Sequence, residues 1–302
     1  MGRSSSVVGT ILALWAVLVV PGECHAPFFI FGDSLLDAGN NQYLNNSHKS
    51  ALPYGETFFK RPTGRVCDGR IVPDFLAEFA NLPLIKPYLE PGFSNYTDGA
   101  NFAGLQVNEM KYHLTLPPYK ARDHIMKLHL KLQLSYFEEM QKKLKQQEGE
   151  QKAQELLSKA VYLLSMGGND YMHAAMPSFG KSTPPLLTAS YKKQYMVVVL
   201  SNLTSVVKKV YAMGGRKFIF QTVGPLGCMP SNRIGSGSKG CAHDVTVLAK
   251  THNIALSKAR YLQLDIGLFA AEYANLPLIK PYLEPGFRNY TNGANFASAG
   301  AG

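Results

Sequence analysis

The feature that most narrows the possible folds is where this chain puts its glycines: directly after short apolar runs. Pro27 to Phe31 (PFFIF) runs into Gly32-Asp33, and Ala160 to Met166 (AVYLLSM) into Gly167-Gly168-Asn169-Asp170. Lys217 to Val223 (KFIFQTV) runs into Gly224-Pro225. Short runs rich in aromatic and β-branched residues, closed by turn residues, are the mark of buried strands. Gly99 to Ala103 is a further strand candidate. Between these runs, apolar residues recur at helical spacing over Ile71–Ala80, Leu130–Ala160, Ala189–Met213 and Val245–Arg260. Proline near the start of the first of them is tolerated there. Strands alternating with helices predict an α/β chain: a three-layer α/β/α sandwich with a mainly parallel sheet. In such sheets the site lies at the carboxyl ends of the strands. With 46% hydrophobic residues in 302, disorder is excluded for most of the chain.

The first 26 residues read as an address. Arg3 supplies a positive start and Val7 to Val20 is an apolar run without charge, too short to span a bilayer. Small residues follow Pro21, at Gly22-Glu23-Cys24 or Cys24-His25-Ala26. This is the pattern of a cleaved secretory signal rather than a membrane anchor. No later apolar run has spanning length, so no stable membrane insertion is expected after cleavage. A secreted, extracellular chain is expected, in the cell wall or apoplast if its source is a plant. Asn45, Asn95, Asn202 and Asn289 each head an Asn-x-Ser/Thr sequon, meaningful in a secreted chain. Cys228 and Cys241 bracket a Gly/Ser-rich stretch and are placed to close a short disulfide loop in an oxidising compartment. The alternative is two free thiols. Cys67 has no evident partner.

Residues 77–103 and 271–297 are near-identical, differing only at Phe79/Tyr273, Ser94/Arg288 and Asp98/Asn292. Two close copies, 194 residues apart, are not a solenoid. The division expected is a signal over 1–26, a catalytic-type domain over 27–263, and a partial repeat of 70–103 over 264–302.

The chemistry-bearing string is Phe31-Gly32-Asp33-Ser34-Leu35-Leu36-Asp37-Ala38-Gly39-Asn40-Asn41. It places Ser34 at a strand-to-loop turn. A serine hydroxyl becomes a useful nucleophile only with a base and with donors for the oxyanion. Four residues, Gly-Asp-Ser-Leu, would match many turns, and Ser34 alone reads as readily as a turn or cap serine. The whole string, however, resembles the nucleophile block of the plant GDSL esterase/lipase family, within the SGNH-hydrolase superfamily. Ser165-Met166-Gly167-Gly168-Asn169-Asp170-Tyr171 resembles that family's Gly-x-Asn-Asp block, and Gly224-Pro225-Leu226-Gly227-Cys228-Met229-Pro230 its block after the fourth strand. Thr63 to Arg70 resembles the segment before the first helix, with Cys67 where serine is usual. The resemblance implies a flavodoxin-like sandwich and ester hydrolysis through Ser34, with Asn169 donating to the oxyanion and no cofactor. No His/Cys/Asp/Glu cluster has metal-ligand spacing either.

Departures from the family pattern bear on activity. Gln106 stands where the family's oxyanion glycine is expected after Asn101-Phe102-Ala103, and residues 104–126 are atypical, with Pro117-Pro118 expected to break any helix. The second copy continues in the family's way to Gly300, the candidate oxyanion glycine. A strand over Gly293–Ala297 docked on an open sheet edge would bring it toward Ser34. The family's C-terminal Asp-x-x-His-Pro block does not occur, which also implies a sheet short of its last strand. Asp170-Tyr171-Met172-His173 matches the spacing without the proline, making His173 the candidate base. His243 and His252 read as surface residues of the last helix. Loss of a triad base costs roughly a million-fold in kcat, and one oxyanion donor about 3 kcal/mol more. The expectation is therefore a secreted serine ester hydrolase, acting on small-molecule or lipid esters, of reduced competence. The alternative is a non-catalytic secreted binding protein or a truncated or fused product. A net charge of +10 suits acidic wall polysaccharide as a partner. Nucleic acid is not expected, because Lys142-Lys143-Leu144-Lys145 alternates with Glu and Gln without aromatic interleaving.

Overall fold

A computed structural model describes residues 25–44, 50–104, 118–174, 188–235 and 240–259, with side chains described outside 118–128, 173–174, 231, 234–235 and 258–259. The proposed signal run, Asn45, Gln106, the repeat over 264–302 and Gly300 lie outside these residues.

Four strands form one parallel sheet: β1 (Phe28–Gly32), β2 (Gly99–Asn101), β3 (Val161–Ser165) and β4 (Lys217–Phe220), in the order β2-β1-β3-β4. Every expected strand exists; β2, β3 and β4 stop a residue or more before the end of their runs, whereas β1 starts one residue later and extends through Gly32. Registers are Phe28↔Gly99 for β1 on β2, Phe28↔Val161 for β1 on β3, and Val161↔Lys217 for β3 on β4. Every residue of β1 and β3 is buried. This explains why those runs are continuously apolar rather than alternating.

The helices are α1 (Val72–Phe79), α2 (Pro118–Glu148), α3 (Glu150–Lys159), α4 (Gly168–Ala174), α5 (Ala189–Ala212), α6 (Pro230–Gly235) and α7 (His243–Ala259). Two sequence expectations need correction here. Pro117-Pro118 does not interrupt a helix: Pro118 begins α2, at the first-turn position where a missing N–H costs nothing. The helical stretch to Ala160 is not continuous either, because Gly149, at φ 83°, divides α2 from α3.

Alternate strand residues face opposite layers. Phe29, Phe31, Tyr162, Leu164 and Phe218 pack with side chains of α2, α3, α5 and α7, including Phe137, Leu157, Val206 and Leu248. Phe28, Ile30, Val161, Leu163 and Ile219 pack with Ala77 of α1 and with Leu82 and Ile85. Helices thus cover both faces, and the fold is the expected α/β/α sandwich. Phe137 stands edge-on to Phe29, Phe31, Phe102 and Tyr162, with centroids 5.5 to 5.9 Å away. Such edge-to-face pairs add to the burial energy of the rings.

One buried ion pair ties α1 to the loop after β1. Arg65 Nε and Nη2 donate to Asp74 Oδ2 and Oδ1 at 2.8 and 2.7 Å, and Nη1 donates to the carbonyl of Ala38 at 3.0 Å. Removing one partner of such a pair strands the other charge without water. Asp74→Ala is expected to cost about 3–5 kcal/mol, read as a lowered urea midpoint. Arg65→Met with Asp74→Leu should cost much less, and an equal loss in both variants would contradict this account.

Candidate active site

The site is built where three parallel strands end side by side. β1 stops at Gly32, whose Cα pairs with that of Ser165 at the end of β3. A Cβ on Gly32 would stand 2.8 Å from the Ser165 carbonyl oxygen, so only glycine lets the strands finish this close. Gly32 N donates to Gln133 Oε1 at 3.1 Å, and its carbonyl accepts from Gln133 Nε2 at 2.8 Å and from Gly104 N at 3.0 Å. Gln133, buried on α2, therefore fixes the end of β1 two residues before Ser34.

Ser34 lies in the turn that follows, half-buried. Asp33 shapes that turn: its Oδ1 accepts from Leu35 N at 3.0 Å and its carbonyl from Leu36 N at 3.2 Å. Burial pushes the Asp33 carboxyl up from its ordinary range. Among the described residues the Ser34 hydroxyl makes no hydrogen bond. Asn169, also half-buried, sits in the first turn of α4, just beyond β3. Gly167 leads into that turn at φ 105°, and a Cβ there would meet Tyr171 and Val199 at 3.1 Å. Ser34 and Asn169 thus stand at the same carboxyl edge, on adjacent strands. His173 belongs to α4 one turn beyond Asn169, on the same helix face. Its side chain is outside the description.

A dense polar network holds this edge. Asp37, fully buried, accepts from Gly39 N and Asn40 N through Oδ1 at 2.7 and 2.6 Å, and from Asn41 N through Oδ2 at 3.3 Å. Burial pushes its carboxyl up to about 6 despite these donors and Arg65 nearby. Asn40 Nδ2 donates to the carbonyls of Asn101 and Ala103 at 2.8 and 2.9 Å, and its Oδ1 accepts from Leu89 N at 3.1 Å. Asn101 Nδ2 donates to the Leu36 carbonyl at 2.7 Å. These bonds stitch the loop after β1 to the end of β2.

One residue requires correction. His252 is not a surface residue but 1% exposed, with Nδ1 2.7 Å from the Tyr171 hydroxyl. Its Nε2 has no partner among the described residues, and burial holds the imidazole down at about 4. Its neighbour Asn253 accepts from Val223 N at 2.9 Å and donates to Val223 O at 2.8 Å. The signal for His252 was present: Val245, Leu248, Ala249 and His252 fall at helical spacing on one face. Gln133 is the same case, lying in register with Leu130, Leu134 and Phe137. His243 is exposed, as expected.

A disulfide joins Cys228 and Cys241, and Cys67 is a free, half-buried thiol. Asn95 is exposed, its Oδ1 accepting from Thr97 N at 3.1 Å. Asn202 departs from the sequon reading, because it is buried along the inner face of α5, where a glycan has no room. Asn289 lies outside the described residues. Among those residues no group of three or more His, Cys, Asp or Glu could hold a metal ion, and no helix is long and apolar enough to cross a membrane. Some lysines of α2 and α3 are paired with carboxylates, among them Lys143 with Glu139 at 2.8 Å and Lys145 with Glu150 at 2.7 Å.

The comparison with known proteins decides the lineage. The family model for GDSL-like lipase/acylhydrolase matches residues 28–260. The chain belongs to this family. It is 39% identical over 256 residues to a "GDSL lipase" of Tanacetum cinerariifolium, covering 84% of this chain and 64% of that protein. It is 38% identical over 235 residues to "GDSL esterase/lipase 5" of Arabidopsis thaliana, covering 76% and 57%, and 40% identical over 235 residues to "GDSL esterase/lipase 4", covering 76% and 60%. The matched region spans about three fifths of the length of these curated relatives.

Two measurements check the site's construction. Asn40→Leu leaves the Asn101 and Ala103 carbonyls and the Leu89 amide short of a partner, and about 3 kcal/mol of stability should be lost. His252 stays neutral in the fold to about pH 4 but protonates near 6.5 when unfolded, so its contribution is lost as pH falls through that window. Asp37, raised from 3.8 to about 6, works in the opposite direction. The test is therefore the stability difference between the parent and His252→Gln. It should shrink by about 3 kcal/mol between pH 7 and pH 4. A pH-independent difference would show that His252 titrates normally.

Proposed function

We propose that the protein is a secreted serine ester hydrolase acting on small-molecule or lipid esters, with Ser34 as nucleophile and Asn169 as oxyanion donor. The observation that carries this reading is the meeting of Ser34 and Asn169 at one sheet edge, through the Gly32↔Ser165 pairing. Ser34 Oγ attacks the ester carbonyl carbon while a base takes its proton. The Asn169 amide stabilises the oxyanion, the alcohol leaves with the proton, and water then releases the acid. His173, the candidate base from its Asp-x-x-His spacing to Asp170, would take that proton. Gly300 would supply a second oxyanion donor. No cofactor enters this scheme.

Passage through an oxidising compartment is supported by the uncharged run Val7–Val20, by the disulfide and by the exposed sequon at Asn95. We assign the mature chain to the extracellular space, with acidic wall polysaccharide as a partner for its +10 charge.

Hydrolysis of a short-chain chromogenic ester tests the reading. Ser34→Ala should lower kcat by roughly a million-fold, to the level of the remaining donors and binding. Asn169→Ala should lower it by about a hundred- to a thousand-fold. His173→Ala should match Ser34→Ala if His173 is the base. A parent that hydrolyses the ester no faster than Ser34→Ala and the buffer blank would defeat the hydrolase reading and leave a non-catalytic secreted binding protein.

A further inference from the structure

Residues 271–297 take no part in the site described above, yet the structure shows what a copy of residues 77–103 fills. In the first copy Ala77, Leu82, Ile85, Tyr88, Tyr96, Ala100, Asn101, Phe102 and Ala103 are all buried. They occupy a slot along β1, whose register runs Phe28↔Gly99 to Ile30↔Asn101 and continues through Phe102 N to Ile30 O at 2.8 Å. The second copy repeats every one of those side chains, from Ala271 through Tyr290 to Asn295-Phe296-Ala297. The positions that differ in sequence are solvent-facing in the first copy: Phe79 and Ser94 are exposed and Asp98 is half-exposed. Nothing that touches the slot has changed.

The slot is also one that can be vacated. β2 is the edge strand of the order β2-β1-β3-β4 and only three residues long, so releasing it breaks one ladder and uncovers no second strand. The reach suffices. Eleven residues, 260–270, lie between Ala259, the end of α7, and Ala271. At about 3.3 Å per extended residue they span roughly 40 Å, close to the width of a domain of this size.

We propose that residues 271–297 of the same chain are an interchangeable occupant of the β2 slot, competing with residues 77–103 for the edge of β1. The exchange alters the site, because the copies continue differently: Gly104-Leu105-Gln106 after the first, Ser298-Ala299-Gly300 after the second. Gly104 runs at φ 88° with Asp37 Oδ2 2.4 Å from where a Cβ would stand. Ser298 does not fit that path, so the second copy leaves the slot by another route past Ala297. Which copy is seated thus sets which backbone follows Gly32 toward Ser34.

Gly99 provides the test. It has φ 110°, and a Cβ there would stand 2.0 Å from the Phe28 carbonyl oxygen, so Gly99→Val bars the first copy from the slot. Gly293→Val bars the second. In the full chain, Gly99→Val should keep a single cooperative melt with only a small drop in Tm, Gly293→Val should be silent, and the double variant should lose the transition. Hydrogen exchange on Gly99→Val should show the Phe296 amide protected and that of Phe102 exchanging freely. Gly99→Val as damaged as the double variant, or protection remaining on the first copy, would overturn the proposal. Rescue that depends on protein concentration and runs as a dimer would overturn the same-chain assignment in favour of a second molecule.

Discussion

Gly32 is the atom-scale constraint on which the site depends. Its backbone N–H and both lone pairs of its carbonyl are used, by Gln133 and Gly104, and its Cα approaches the Ser165 carbonyl too closely for any side chain. β1 is paired on both edges and buried on both faces. The last strand residue before the Ser34 turn is therefore held from every direction at once. A site must be fixed to within a fraction of an ångström to be of use, and fixing it through the backbone leaves the Ser34 side chain unencumbered.

A parallel sheet creates the problem that the surrounding polar residues solve. At its carboxyl edge the terminal carbonyls and amides have no next residue to pair with, and each one buried alone costs about 1–3 kcal/mol. Gly32, Asn101 and Ala103 are buried there, so water is not freely available to their backbone groups. Asn40, Asn101, Asp37 and Gln133 supply the missing partners from side chains, and all four are buried. The network is thus both a stability requirement and the reason the loop after β1 has one conformation. A burial that raises the Asp37 carboxyl to about 6 is the energetic counterpart of that arrangement.

What could be read from the sequence follows from which interactions are local. Strand runs ending in glycine and the sandwich class were legible because strand periodicity and parallel topology fix them, whereas the pairing of the Ser34 and Asn169 blocks came only from the family resemblance. Pro118 was misread because proline has opposite meanings at the first turn and in the interior of a helix. Which one applies depends on whether residues before it are helical. Gln133 and His252 were hidden by their chemistry: a polar residue in an apolar stripe reads as surface until its partner, Gly32 or Tyr171, is known. Asn202 failed for the related reason that a sequon says nothing about which face of α5 carries it.

α7 shows how the far side of the site is kept in place. His252 reaches Tyr171 of α4, the helix that carries Asn169, while Asn253 grips both backbone groups of Val223 in the loop after β4. Adjacent residues of one helix therefore tie together the loops following two neighbouring strands. The start of α7 is anchored in turn: Ala242 N donates to Gly227 O at 2.8 Å, and the Cys228–Cys241 disulfide closes the loop just before it. Gly227 leaves no alternative packing, since a Cβ there would stand 2.1 Å from Thr246 Oγ1. A helix fixed at its first turn and bonded through its third transmits one rigid position to both loops. Asn169 is thereby placed by contacts on the side opposite to those that place Ser34, and the distance between them is set by the β1–β3 ladder that both sides share.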